Sequence, residues 1–167
     1  CYNAERTLPM ALASLRAQTY EDWEAVVVDD GSTDGTWALL EACGDPRVRR
    51  ERFTENRGRG AARQRCLEMA RGELLSFLDS DDWLFPEKLE KQAALMAEHP
   101  ELAALSVACV ITDAVGAPVG MSQLGAEPGR TLTKRRLARP APPQIGFPSC
   151  MVRMEAARAA GFNQAFR

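Results

Sequence analysis

A mostly parallel α/β fold, with helices packed on both faces of the sheet, is the class that the residue order predicts. Three observations carry it. Helical and strand-like stretches alternate from Leu8 to Thr112. The strand-like stretches are short, apolar and rich in β-branched residues, as in Ala25-Val26-Val27-Val28. Two of them stop abruptly in carboxylates, at Asp29-Asp30 and at Asp79-Ser80-Asp81-Asp82. Parallel strands need crossover connections, usually helices, and those helices cover the sheet on both sides.

Leu8, Leu12 and Leu15 fall at helical spacing after Thr7-Leu8-Pro9, which predicts a first amphipathic helix ending near Gln18-Thr19-Tyr20. Trp23 to Val28 reads as a buried strand. Asp29-Asp30-Gly31-Ser32-Thr33-Asp34-Gly35 breaks it and supplies the cap of a second helix through Trp37, Leu39 and Leu40. Arg47 to Phe53 is a short strand, and Glu55-Asn56-Arg57-Gly58-Arg59-Gly60 is a loop that runs into a third helix, Ala61 to Ala70, closed by Gly72. Leu74 to Leu78 is the next strand. Pro86, suited to a first helical turn, opens a long helix through Leu89 and Leu95. Leu102 to Thr112 is expected to be one further apolar strand. Beyond Asp113 the pattern degrades into a turn at Ala114 to Pro118, a loop at Gly125 to Gly129, and the block Arg139-Pro140-Ala141-Pro142-Pro143. A short helix from Met154 to Ala160 then stops at Gly161.

The chain has the length and the apolar fraction of one globular domain, and its net charge of −2 gives no reason to expect a nucleic-acid partner. The stretch from Arg130 to Arg139 is nonetheless a local basic cluster that would meet an anionic ligand or lipid headgroups, or lie solvated. Five scattered cysteines with no C-x-x-C pair read as reduced residues of a cytoplasmic protein. No apolar run approaches the roughly 20 residues that span a bilayer.

Ligands of open parallel sheets bind at the carboxyl ends of the strands, and both acidic turns end there. Carboxylates at i and i+2 on such a turn reach one hard divalent cation and leave its other positions to water and phosphate oxygens, which suits Mg²⁺ or Mn²⁺. A solvated turn is the plain alternative for either loop taken singly. Asp30-Gly31-Ser32-Thr33-Asp34-Gly35 with Glu41 also fits the spacing of a calcium loop. That reading fails on context, because a strand precedes the loop and a helix begins where it should still be coordinating.

Cys1-Tyr2-Asn3-Ala4-Glu5, Gln18-Thr19-Tyr20, Val28-Asp29-Asp30-Gly31-Ser32-Thr33-Asp34-Gly35-Thr36, Asn56-Arg57-Gly58, Ala62-Arg63-Gln64, Ala70-Arg71-Gly72-Glu73 and Phe77-Leu78-Asp79-Ser80-Asp81-Asp82 occur in this order. In order and spacing the set resembles the family 2 inverting glycosyltransferases, whose fold is GT-A, and the resemblance covers nearly the whole chain. It implies one Rossmann-like GT-A domain over residues 1–167, with a nucleotide-sugar donor half at 1–112 and a partial acceptor-side segment at 113–167.

The resemblance also implies roles. Tyr2 matches an aromatic residue near the nucleotide base, and Asp30 the carboxylate that accepts a hydrogen bond from the uracil ring nitrogen. Asp79-Ser80-Asp81 matches the D-x-D motif, with Asp79 and Ser80 on the nucleotide-sugar and Asp81 on the metal, Mg²⁺ or Mn²⁺. Arg63 matches a basic position near the nucleotide or fixing the acidic loops. Pro148-Ser149-Cys150 falls where sugar- and acceptor-side residues are presented, and Gly161 to Phe166 resembles the segment that leads to the catalytic acid pair. That pair is expected beyond Arg167, and the first strand of the family is expected before Cys1. The chain as it stands is therefore expected to lack the base and to be inactive.

The activity implied is metal-dependent, inverting transfer of a sugar from a UDP-sugar to a saccharide or lipid-linked hydroxyl acceptor. It belongs to surface-polysaccharide or glycolipid synthesis, in the cytoplasm at the inner face of the membrane, with the Arg130–Arg139 cluster as the candidate peripheral contact. A polyprenyl-phosphate sugar transferase and a non-catalytic nucleotide-sugar-binding domain stay open as alternatives.

Overall fold

The computed structural model describes residues 1–113, 115–122 and 149–162. Its elements in chain order are α1 (Leu8–Arg16), β1 (Ala25–Asp29), α2 (Thr36–Glu41), β2 (Val48–Arg52), α3 (Arg59–Met69), β3 (Leu74–Ser76), α4 (Lys88–Glu98), β4 (Ala104–Ser106), β5 (Cys109–Thr112), β6 (Pro118–Ser122), β7 (Cys150–Arg153) and α5 (Met154–Ala160). The α/β class expected from the residue order is the one observed. The basic cluster at Arg130–Arg139 and Pro148 lie outside the described residues.

β1 and β2 pair in parallel, from Ala25 against Val48 to Asp29 against Arg52. Because side chains alternate across a strand, β1 feeds two layers. Ala25 and Val27 pack with Leu8, Leu12 and Leu40 on the α1–α2 side. Val28 packs with Ala61 and Ala62 of α3, and Val26 with Leu67 and Ala70. Helices thus cover both faces of this strand. Leu40 and Val28 are almost fully buried. Burial of side chains this size stabilises by about 1.5–3 kcal/mol each.

The sheet departs from the expected pattern in its second half. β7, a strand that the sequence did not signal, runs antiparallel between β3 and β4. β3 and β4 therefore point the same way but are separated by a strand of opposite direction. Among the described residues the only parallel ladder is β1–β2, so the pairing is mixed rather than mostly parallel. The single strand expected at Leu102 to Thr112 is two strands: β4 stays with β7, and β5 turns away to form an antiparallel hairpin with β6. Pro118 starts β6 at a sheet edge, where its missing N–H costs no ladder bond.

Around β7 the polar groups are buried or partly buried, and Lys88 brings the one ammonium of this hydrogen-bonded set. Lys88 on α4 donates from Nζ to Ser76 Oγ (2.9 Å) and Gln92 Oε1 (2.7 Å), and Gln92 donates from Nε2 to the Ser149 carbonyl (3.0 Å). No carboxylate faces the Lys88 ammonium among the described residues, and burial pushes its pKa down to about 8 despite the nearby Cys109 and Cys150 sulfurs. No helix among the described residues is long and apolar enough to cross a membrane.

A lysine whose folded pKa lies below its unfolded value destabilises the fold fully below the folded pKa, and the penalty fades as pH rises toward the ordinary lysine value of about 10.4. Urea unfolding of the wild type and of Lys88→Met at intervals from pH 7 to pH 10 is expected to show the wild type gaining stability relative to the variant above about pH 8. A difference that stays constant across this window would contradict the assignment.

Candidate functional site

The loop after β1 is laced to the first residues of the chain. The Asp30 N–H donates to the Cys1 carbonyl (2.9 Å). Asn3 N donates to Ser32 Oγ (2.9 Å), Thr33 N to Asn3 Oδ1 (2.9 Å), and Ala4 N to Thr36 Oγ1 (2.8 Å). Asn3 takes a positive φ of 48°, a conformation that asparagine tolerates better than most residues. Tyr2, held between these anchors, is about half exposed and stands beside the Asp30 loop.

The paired aspartates differ in role. Asp29 is fully buried: it accepts from the Ser32 amide (3.2 Å) and, through a very short contact, from the Ser32 hydroxyl, and Arg52 Nε lies 3.2 Å from its second oxygen. Asp30, only 3% exposed, reaches across to the loop before α3. Its Oδ1 accepts from Arg57 N (2.7 Å) and its Oδ2 from Gly58 N (2.9 Å). Gly58, at φ 90°, is the residue before α3, and Asn56 Oδ1 also accepts from its amide (3.1 Å), so Asp30 holds the loop just ahead of the helix from a distant part of the chain. The close approach requires Gly31, at φ +73°, where an added Cβ would lie 2.6 Å from the backbone carbonyl carbon of Glu55.

The second acidic turn is held by the same helix. Arg63, one turn into α3, donates from Nη2 to Asp79 Oδ1 at 2.7 Å. The Asp82 amide donates to the Asp79 carbonyl and closes the turn. Asp81 is exposed and makes no hydrogen bond or ion pair among the described residues. The Asp82 carboxyl is pushed up, first by burial and then by the negative charges of Asp81 and Asp79.

These donors suit a hard divalent cation. Asp79, Asp81 and Asp82 crowd negative charge that, among the described residues, Arg63 alone offsets by a direct ion pair, and the carboxylate oxygens are hard donors. No group of three or more ligating side chains among the described residues forms a cage on its own. Asp81, with Asp79 beside it, would hold such an ion only together with oxygens from water or a bound phosphate. Ser80 lies between them, partly buried. Ser149 and Cys150 are buried at the start of β7, with Ser149 Oγ 2.7 Å from Ser106 Oγ.

Residue order did not single out Gly31 as a contact point, nor Gln64. Gln64 Oε1 accepts from the Phe162 amide at 3.0 Å. The Ala62-Arg63-Gln64 run marked the helix, but a contact over 98 positions leaves no local signature.

Asp30→Asn keeps one acceptor and turns an N–H₂ toward a backbone N–H, leaving a buried donor unpaired. Urea unfolding is expected to show a loss of about 1–3 kcal/mol. Gly31→Ala, strained by both φ and backbone contact, is expected to lose more than Gly35→Ala, where the added Cβ meets only the movable Glu5 side chain. Equal losses at the two glycines would refute the close approach.

The chain is similar to known proteins. The chain is 37% identical over 98 residues to the Escherichia coli UDP-Glc:alpha-D-GlcNAc-diphosphoundecaprenol beta-1,3-glucosyltransferase WfgD, a match covering 59% of the chain and 40% of WfgD. The crystal structure of S. aureus TarS 1–349 superposes with a TM-score of 0.72 at 28% identity, covering 99% of this chain and 49% of that one. TarS 1–349 is also solved with UDP and with UDP-GlcNAc. The Pyrobaculum calidifontis mannosyltransferase PcManGT, in complex with GDP-Man and Mn²⁺, matches at TM-score 0.58 and 28% identity over 68% of this chain and 34% of its own. The chain thus spans less than half the length of these relatives, and its fold is the GT-A fold. The model of glycosyl transferase family 2 matches residues 1–161, and the chain belongs to that family.

Proposed function

We propose that the chain is the donor-binding part of an enzyme that transfers a sugar, with inversion, from a UDP-sugar to a hydroxyl acceptor. The observation that carries the reading is the gathering of both acidic loops at the head of one helix: Asp30 on the amides of Arg57 and Gly58 just ahead of α3, and Asp79 on Arg63 one turn into it. The UDP and UDP-GlcNAc complexes of TarS and the UDP-Glc donor in the name of WfgD support a uridine nucleotide.

In this reading Tyr2 lies against the base, and the remaining lone pairs of Asp30 accept from the uracil ring nitrogen. Asp79 and Ser80 orient the ribose and diphosphate, and Arg63 holds the Asp79 carboxylate in place. A Mg²⁺ or Mn²⁺ ion held through Asp81 supplies neutralisation of the charge that builds on the departing diphosphate. The Mn²⁺ in the PcManGT complex supports a divalent ion of this kind. Residues 1–112 form the donor half and 113–167 part of the acceptor side. Inversion needs a carboxylate base opposite the leaving group, and we place it C-terminal to Arg167.

The acceptor is a saccharide or a lipid-linked saccharide of polysaccharide synthesis. The diphosphoundecaprenol acceptor in WfgD's name supports the lipid-linked form. Such an acceptor puts the chain at the cytoplasmic face of the membrane.

Calorimetric titration of UDP is the direct test. Binding is expected to tighten about tenfold or more with Mn²⁺, a gain of roughly 1.4 kcal/mol or more, and Asp81→Ala is expected to abolish the gain while leaving metal-free binding in place. UDP binding that ignores the metal would remove Asp81 from its assigned role.

A further inference from the structure

Arg63 and Gln64 are neighbours on α3, and side chains of consecutive helical residues diverge by about 100°. Arg63 goes to Asp79. Gln64 goes elsewhere: its Oε1 accepts from the Phe162 amide at 3.0 Å, while its Nε2 donates to Glu68 Oε1 at 3.2 Å, one turn along the helix. The second bond fixes which end of the amide faces Phe162, since only an oxygen accepts from a backbone N–H.

The Phe162 ring in turn stands edge-on to Phe77, with centroids 5.4 Å apart and planes at 82°. This T-shaped geometry is the one that aromatic quadrupoles favour. Phe77 is two residues before Asp79. The path from Gln64 through Phe162 and Phe77 therefore returns to the turn that Arg63 already holds from the other side.

The route is braced where it leaves α5. Gly161 takes φ +62°, at which a side chain is strained, and its amide closes on the Ala157 carbonyl at 2.9 Å. Arg158 Nη2 donates to the Ala70 carbonyl at the end of α3 (2.9 Å), and Met154 packs against Leu67 and Ala70. The α5 end and α3 thus move as one body, and Phe162 is presented to Phe77 by that body.

We infer that Gln64 is a positioning residue for the acidic turn Asp79–Asp81: it seats Phe162 against Phe77 and closes a ring of contacts that begins and ends on α3. The Arg63–Asp79 ion pair holds the turn from one side, and Leu78 and Leu84 seat its two ends in the apolar cluster with Leu89 and Met96. The Phe162–Phe77 contact adds a further hold next to Asp79 and so helps set where Asp81 stands. Gln64 touches neither nucleotide nor metal in this scheme. It acts through Phe162 and Phe77 on the placement of a carboxylate. The inference rests on the reading that Asp81 and a divalent ion bind the diphosphate together.

The test uses the full-length protein and calorimetry of UDP with and without Mn²⁺. The readout is the ratio of the two Kd values, which a general loosening of the fold would not change selectively. Gln64→Leu is expected to lower this ratio about fivefold, the size of one net hydrogen bond, with metal-free UDP affinity within about twofold of wild type. Phe162→Leu is expected to do the same by removing the ring contact. Exchanging the pair, Gln64→Glu with Glu68→Gln, keeps an acceptor for the Phe162 amide and a donor to orient it, and is expected to restore the ratio. An unchanged ratio in Gln64→Leu and Phe162→Leu, a parallel fall of metal-free affinity, or failure of the exchanged pair to rescue would overturn the positioning role. A wild type whose UDP binding ignores Mn²⁺ would instead overturn the functional reading, and the inference with it.

Discussion

The structure around the site depends on one buried carboxylate in front of a helix. Asp30, from the loop after β1, accepts from the backbone amides of Arg57 and Gly58, the two residues ahead of α3. Asn56 Oδ1 accepts from the same Gly58 amide, so this loop is held both locally and from a distant part of the chain. Gly58 is required there by its φ of 90°. The entry to α3 thus depends on the acidic loop, and the acidic loop depends on those amides to satisfy a carboxylate that is almost out of water.

Everything placed by α3 inherits that coupling. The Arg63–Asp79 pair is partly exposed, with side-chain exposures of 25% and 41%, and a pair so open to solvent contributes little to stability. Its consequence is directional: it brings the second acidic turn to the helix whose leading loop the first acidic loop holds. The turn then concentrates negative charge, and the Asp82 carboxyl is pushed up by burial first and by the charges of Asp81 and Asp79 after it. A site built this way holds repulsion that a cation would relieve.

The polar layer under β7 follows a different logic. Lys88, Gln92, Ser76 and Ser149 satisfy one another without a carboxylate, so the layer carries a buried ammonium and little compensating charge. Hydrogen bonds of this kind are satisfied only in the correct register, and such networks specify one arrangement of the chain. Here they fix where β7 enters between β3 and β4. The β5–β6 hairpin, by contrast, leaves Ile111, Val119 and Met121 at the surface.

The α/β class, the order of the first elements and the two acidic turns were legible in residue order, because periodicity, breakers and strand-end carboxylates are local patterns within a few residues. The resemblance to family 2 glycosyltransferases rested on the same local runs, and the match over residues 1–161 agrees with it. What residue order left open was every feature set by partners far along the chain. The strand expected at Leu102 to Thr112 divides because Leu105 finds Met151 while Val110 finds Met121, and apolar character alone does not tell those partners apart. β7 is four residues long and is a strand only because it has a neighbour on each side. Asp30 reads as a ligand-facing turn residue, and only the fold shows that it also holds the amides of Arg57 and Gly58; Gln64 reads as a helix-surface amide until the fold brings Phe162 to it. Side-chain chemistry makes these bonds available, and only chain folding selects which of them form.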